Sequence, residues 1–124
     1  MTHDPALQQR IESAFARRAE LDAAELAALQ PDIELAMAGL ESGALRVSEP
    51  DGNGGWQVNQ WLKMAVLLFF RTHDMQVMPG APGPYWDKVP LRFDGYDADA
   101  FKRDGVRVVP GTVAQVSTIV PSPT

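Results

Sequence analysis

Few residues in this 124-residue chain have side chains suited to chemistry, and fewer still are spaced for it. There is no cysteine, which removes disulfides, thiolate catalysis and cysteine-based zinc sites. Of two histidines, His3 lies at the extreme N-terminus, so His73, in Thr72-His73-Asp74, is the sole internal one. A histidine beside an aspartate could act as a base or a metal ligand. No second histidine and no nucleophile stands at a suitable spacing, so a capping or surface role is expected. The carboxylates Glu20, Glu25, Asp32 and Glu34 form no pair placed for acid–base work and read as solvated faces. Residues 50–55, Pro-Asp-Gly-Asn-Gly-Gly, could suggest a phosphate loop. Such a loop runs straight into a helix carrying Lys and Ser or Thr, and this one does not. Trp56 and Trp61 are expected to anchor a core or an interface rather than to stack on a ligand.

The elements that must carry these residues centre on 56–71, WQVNQWLKMAVLLFFR. It holds the longest apolar run, 64–70, too short for the roughly 20 residues that span a bilayer. A helix from Gln60 to about Arg71 is expected, with Asn59 as N-cap. Its apolar residues lie nearly all round, as in a helix buried on several sides. Upstream, Asp4-Pro5 starts a helix whose stripe is Leu7, Ile11, Ala14 and Phe15, with Arg17 and Arg18 at its solvated end. Asp22 and Glu25 have capping-box spacing for a second helix. Pro31 either kinks it or starts a third, and Ser42-Gly43 ends the run. Residues 4–43 thus make two or three short helices.

Strands are expected at 44–49, 56–58, 75–78 and 106–110. The first two join through the 50–55 turn. Residues 80–84 form a rigid Pro/Gly loop, and 85–93 are aromatic and extended. A short helix spans 96–105, capped by Asp97 and closed by Gly105. Val108, Ala114 and Val120 are six apart, as are Val113 and Ile119. Six-residue spacing of small and β-branched residues hints at a left-handed parallel β-helix. Taken by the residues alone, the tail is a frayed terminus. The fold class is therefore α+β: a mainly helical small domain with short strands, with the start of an incomplete β-helix at the C-terminus. Residues 1–107 are the helical domain, and 108–124 the incipient β-helix or a disordered tail.

Net charge is −5 and the pI about 4.8, against nucleic acid or an anionic membrane as main partner. The N-terminus lacks the basic-then-apolar pattern of a signal peptide. A cytoplasmic protein is expected.

Five segments, 11–21, 41–49, 56–71, 85–93 and 104–110, together resemble the N-terminal domain of the tetrahydrodipicolinate N-succinyltransferase family, in order and in spacing. The resemblance implies a homotrimeric acyltransferase that moves succinyl from succinyl-CoA to tetrahydrodipicolinate in the diaminopimelate route to lysine. It implies a β-helix body with active sites between neighbouring β-helices. It implies direct attack of the substrate amine on the thioester, without a covalent enzyme intermediate. The family's substrate-binding arginine falls on Arg107, in Arg-Val-Val-Pro at 107–110. On residue type alone, Arg107 reads as an exposed strand residue. Residues 111–124 depart from the family's continuation. Its substrate-binding aspartate, CoA channel and trimer interface belong to parts that this sequence does not contain. The chain is accordingly expected to bind no cofactor, with succinyl-CoA the co-substrate of the complete enzyme, and to be inactive alone. The alternative is a stand-alone interaction module using Trp56, Trp61, Tyr85 and Trp86 as an apolar patch.

Overall fold

A computed structural model describes residues 4–116. Three helices form its core. Helix α1, Pro5–Ala16, begins where the Asp4 side chain accepts a hydrogen bond from the Ala6 N–H (2.9 Å). Helix α2, Ala23–Ser42, begins where Asp22 accepts from the Glu25 N–H (2.8 Å) and ends at Gly43. Gly43 has φ 81°, a left-handed conformation that glycine enters without steric cost. Pro31 neither starts a new helix nor ends this one: α2 runs through it. Residues 4–43 are therefore two helices, and the Ala27 carbonyl has no Pro31 N–H to bond.

Helix α3, Gln60–Arg71, packs against both α1 and α2. Trp61, Leu62, Ala65, Leu68 and Phe69 are buried against Leu7, Ile11, Ile33, Ala36, Met37 and Leu40. The helix is not buried all round, since Leu67 stays half exposed. Asn59 precedes it without forming the side-chain cap. Its amide instead donates to the Arg46 carbonyl (2.7 Å) and to Glu49 Oε1 (3.2 Å). The side chain thus ties α3 to the segment before β1.

The strands are shorter than the alternation suggests. Strand β1 is Ser48–Pro50, paired antiparallel with β2, Trp56–Val58, in the register Ser48↔Val58. Residues 44–47 are not strand. The Leu45 N–H bonds the Gly39 carbonyl (2.9 Å), and Leu45 and Val47 pack on the core as a helix exit. Strand β3, Gln76–Met78, pairs antiparallel with β4, Tyr85–Asp87. Helix α4, Ala98–Asp104, is capped by Asp97 on the Ala100 N–H (2.9 Å) and closed by left-handed Gly105.

Residues 106–110 form no strand, against expectation. After Gly105 both the Gly105 and Val106 N–H groups turn back to the Phe101 carbonyl (2.9 and 3.2 Å), which ends the helix without offering a ladder. The segment beyond is hydrogen-bonded as far as Val116: Arg92 N–H to the Ala114 carbonyl (2.9 Å) and Val116 N–H to the Pro90 carbonyl (3.0 Å), an antiparallel bridge at Leu91↔Gln115. The six-residue partners Ile119 and Val120 lie outside the described residues. The molecule is thus a mainly helical α+β domain with two short hairpins.

Candidate functional site

Arg107 lies two residues past the α4 closure and is exposed. Among the described residues no acidic side chain pairs with it. A guanidinium without an acidic partner presents its planar fork of donors to solvent. What leads the chain to it is well fixed. Tyr96, Phe93 and Phe101 form a cluster with ring centroids 5.1–5.8 Å apart. The Tyr96 hydroxyl donates to Asp104 Oδ2 (2.5 Å), and Arg103 Nε donates to the other carboxylate oxygen (3.1 Å). These two bonds, the tyrosine's first, hold the Asp104 carboxyl below its ordinary range. Arg92 Nη1 reaches the same hydroxyl at 3.4 Å, and its Nε lies 3.6 Å from Glu41 Oε1. That last contact is an ion pair without a hydrogen bond: Arg92 Nε is buried with no hydrogen-bond partner. Sequence reasoning missed this cluster. No sequence signal pointed to it, since its members meet only once α4 folds against the 91–96 turn.

Beside this cluster a cleft of roughly 550 Å³ opens between the β3–β4 hairpin, the 91–95 turn and residues 108–115. Tyr85, Trp86, Leu91, Phe93, Val108 and Val113 line it. Arg107 does not line it, but its neighbour Val108 does.

The other candidates resolve into structural roles. His73 does not meet Arg107. Its Nδ1 lies 3.0 Å from the Phe69 carbonyl and 2.9 Å from Thr72 Oγ1, and its ring stacks on Phe69 with centroids 3.9 Å apart. With Thr72 and Lys88, whose Nζ donates to the Phe70 carbonyl (3.1 Å), it closes the C-terminus of α3. In the 50–55 turn, Asp51 Oδ1 accepts from the Asn53 and Gly55 N–H groups (2.7 and 3.0 Å). The turn's own carboxylate occupies the donors a phosphate would need. Among the described residues no group of three or more His, Asp or Glu could hold a metal ion.

Asp32 and Glu25 are not merely solvated. Arg10 grips Asp32 with two 3.0 Å bonds, and Arg17 donates to Glu25 (2.8 Å). Asp32 raises the pKa of Arg10 further above its ordinary value, mainly through those bonds. These pairs bridge α1 to α2 across a shallow groove. Arg18 also has a partner, donating to the Phe15 carbonyl (2.9 Å) and lying over the Phe15 ring. Arg71 donates in turn to the Arg18 carbonyl. The tryptophans divide. Trp61 is 3% exposed and belongs to the core, whereas Trp56 is 71% exposed on the β1–β2 hairpin and does not. Trp86 is 63% exposed.

Residues 6–72 match the family model described as tetrahydrodipicolinate N-succinyltransferase N-terminal. The chain is 51% identical over 113 residues to a protein of Xylella fastidiosa (strain 9a5c) named 2,3,4,5-tetrahydropyridine-2,6-dicarboxylate N-succinyltransferase, covering 90% of this chain and 41% of that protein. Proteins of the same name from Methylobacterium sp. (strain 4-46) and Afipia carboxidovorans are 48% identical over 116 residues and 40% identical over 117. Those matches cover 92% and 93% of this chain, and 41% and 42% of the relatives. The chain spans about two fifths of the length of the curated relatives it matches. No helix among the described residues is long and apolar enough to cross a membrane.

Proposed function

Because the chain belongs to the tetrahydrodipicolinate N-succinyltransferase N-terminal family, we propose that it is the N-terminal part of an acyltransferase that moves succinyl from succinyl-CoA to tetrahydrodipicolinate. The reaction belongs to the diaminopimelate route to lysine, in the cytoplasm. The observation that carries this reading is 51% identity over 113 residues to a relative bearing the enzyme's name.

In the complete enzyme water first opens the cyclic imine of tetrahydrodipicolinate, and the amino group of the ring-opened form attacks the thioester carbonyl carbon. A C–N bond forms, the C–S bond breaks, and CoA leaves as the thiol once the amine proton has been passed on. No residue of this chain becomes acylated. The protein contributes position and polarisation of the carbonyl. Arg107 binds one carboxylate of the dicarboxylate substrate through charge-assisted hydrogen bonds, and its exposure and lack of a described acidic partner suit that role. It does no proton chemistry, since its charge is fixed. The chain itself holds no cofactor, and succinyl-CoA is the co-substrate.

The remaining machinery lies in the relatives' further three fifths: the β-helix, the CoA channel and the interfaces of a homotrimer. Residues 1–107 are read as the N-terminal domain, and 108–124 as the incipient, incomplete β-helix or a disordered tail. The isolated chain is therefore inactive. CoA release from succinyl-CoA, followed with a thiol reagent and tetrahydrodipicolinate, tests this. The chain alone should give the buffer rate. Fused at residue 116 to the remainder of the Xylella relative, it should restore turnover. Release by the chain alone, or a folded but inactive fusion, would overturn the proposal.

A second reading, a stand-alone interaction module, is favoured by one observation: Trp56, Tyr85 and Trp86 are exposed. Trp61 drops out of that patch because it is buried. Solution size separates the two readings. A stable monomer with a dispersed NMR spectrum favours the module. Aggregation, or trimerisation only when the β-helix is supplied, favours the enzyme part.

A further inference from the structure

The cleft between the β3–β4 hairpin and residues 108–115 collects large apolar side chains that water still reaches. Val113 is 82% exposed and Trp86 63%, with Tyr85 and Val108 beside them. An exposed apolar surface of this kind marks a contact site. Two of its polar side chains already bond each other: the Asp87 carboxylate accepts from Gln115 Nε2 (3.0 Å). Asp87 and Asp94 line the cleft, so an anionic ligand such as a carboxylate or a phosphate would meet like charge. What fits is an apolar polypeptide face.

The chain's course says which one. The last described residue, Val116, is bonded to Pro90, next to the cleft-lining residues Leu91 and Gln115. In the relatives about three fifths of the length lies outside the matched part, and the matched model is the N-terminal one. Polypeptide continuing from Val116 starts at the cleft's edge, where tethering gives it a high effective concentration. We propose that this cleft is the seat on which the C-terminal portion of the complete protein docks, inserting an apolar surface between Trp86 and Val113. The inference rests on the reading that the chain is the N-terminal part of the longer enzyme.

The test uses the absence of native cysteine in this chain. Val113→Cys and, as control, Leu35→Cys, exposed on α2, are labelled with a thiol reagent and read by peptide mass spectrometry. Each is compared between the isolated chain and its fusion at residue 116 to the Xylella remainder. Docking should slow labelling at position 113 by about tenfold or more in the fusion and leave position 35 within about twofold. Equal labelling of position 113 in both contexts would overturn the proposal. So would protection already present in the isolated chain together with concentration-dependent self-association, which would make a second copy the occupant. Catalysis by the fusion is read separately. An active fusion with an unprotected position 113 sinks the docking but keeps the function, and a protected but inactive fusion does the reverse. The isolated chain gives a further check. It should enhance the fluorescence of an apolar dye, and Trp86→Ser with Val113→Ser should abolish most of that signal while Leu35→Ser does not. A signal unchanged by the double substitution would also overturn the proposal.

Discussion

Replacing Leu62 by Ala should destabilise this domain far more than replacing Leu67, five residues along the same helix. Leu62 is 0% exposed, enclosed where α3 meets α1 and α2, whereas Leu67 is 50% exposed. Each substitution removes three carbons, worth about 2.4 kcal/mol of transfer free energy when fully buried, at about 0.8 kcal/mol per carbon. At position 62 a cavity adds about 1 kcal/mol, giving about 3.5 kcal/mol in all. At position 67 half the transfer energy applies and no enclosed cavity forms, giving about 1.2 kcal/mol. The difference, about 2.3 kcal/mol, is read by urea denaturation followed by far-ultraviolet circular dichroism. With a slope of about 1.5 kcal/mol/M, the midpoint of Leu62→Ala should fall about 1.5 M below that of Leu67→Ala. Equal midpoints with unchanged slopes would refute the placement of α3 and the account of the core built on it.

Pro31→Ala should stabilise the protein by about 1–3 kcal/mol, because Pro31 is exposed inside α2 and its missing N–H and ring clash are costs that no described contact offsets. A fall in thermal midpoint would show that the proline sets a bend the fold needs. The Asp104 carboxyl is lowered mainly by the Tyr96 hydroxyl, then by Arg103. A depressed acid stabilises the fold above its unfolded pKa, and that contribution is lost as pH falls through the folded value. Tyr96→Phe should therefore move the Asp104 titration, followed by NMR, up toward the ordinary carboxylate range and reduce the loss of stability on acidification. An unmoved titration would remove the tyrosine from the cluster.

The helices were legible because their signals are local. Asp4, Asp22, Asp97, Gly43 and Gly105 stop or start helices through their own geometry, and the Gln60–Arg71 span follows from one dense apolar run. The strands at 56–58 and 75–78 were legible too, but 44–47 was not, because alternation cannot tell a strand from a helix exit that buries every second residue. Leu45 and Val47 do the latter, packing on the core, while β1 begins only at Ser48. Asn59 has the residue type of a cap, yet the Arg46 carbonyl and Glu49 lie within reach and take its amide. Trp56 and Trp61 look alike in sequence, and only the hairpin's position separates an exposed ring from a core one. At the site, Arg107 came from a family resemblance rather than from its neighbours. The Tyr96–Asp104–Arg92 cluster needs α4 folded against the 91–96 turn, a tertiary fact no spacing rule supplies.

The most direct test of the central claim is substrate saturation by the fusion of this chain to the Xylella remainder, with Arg107 and with Arg107→Ala. Losing a charge-assisted carboxylate contact worth about 2–3 kcal/mol should raise the KM for tetrahydrodipicolinate roughly 30- to 150-fold, and leave the KM for succinyl-CoA unchanged. An unchanged KM for tetrahydrodipicolinate, or an equal rise for both substrates, would contradict the assignment of Arg107 as the residue through which this domain serves the reaction.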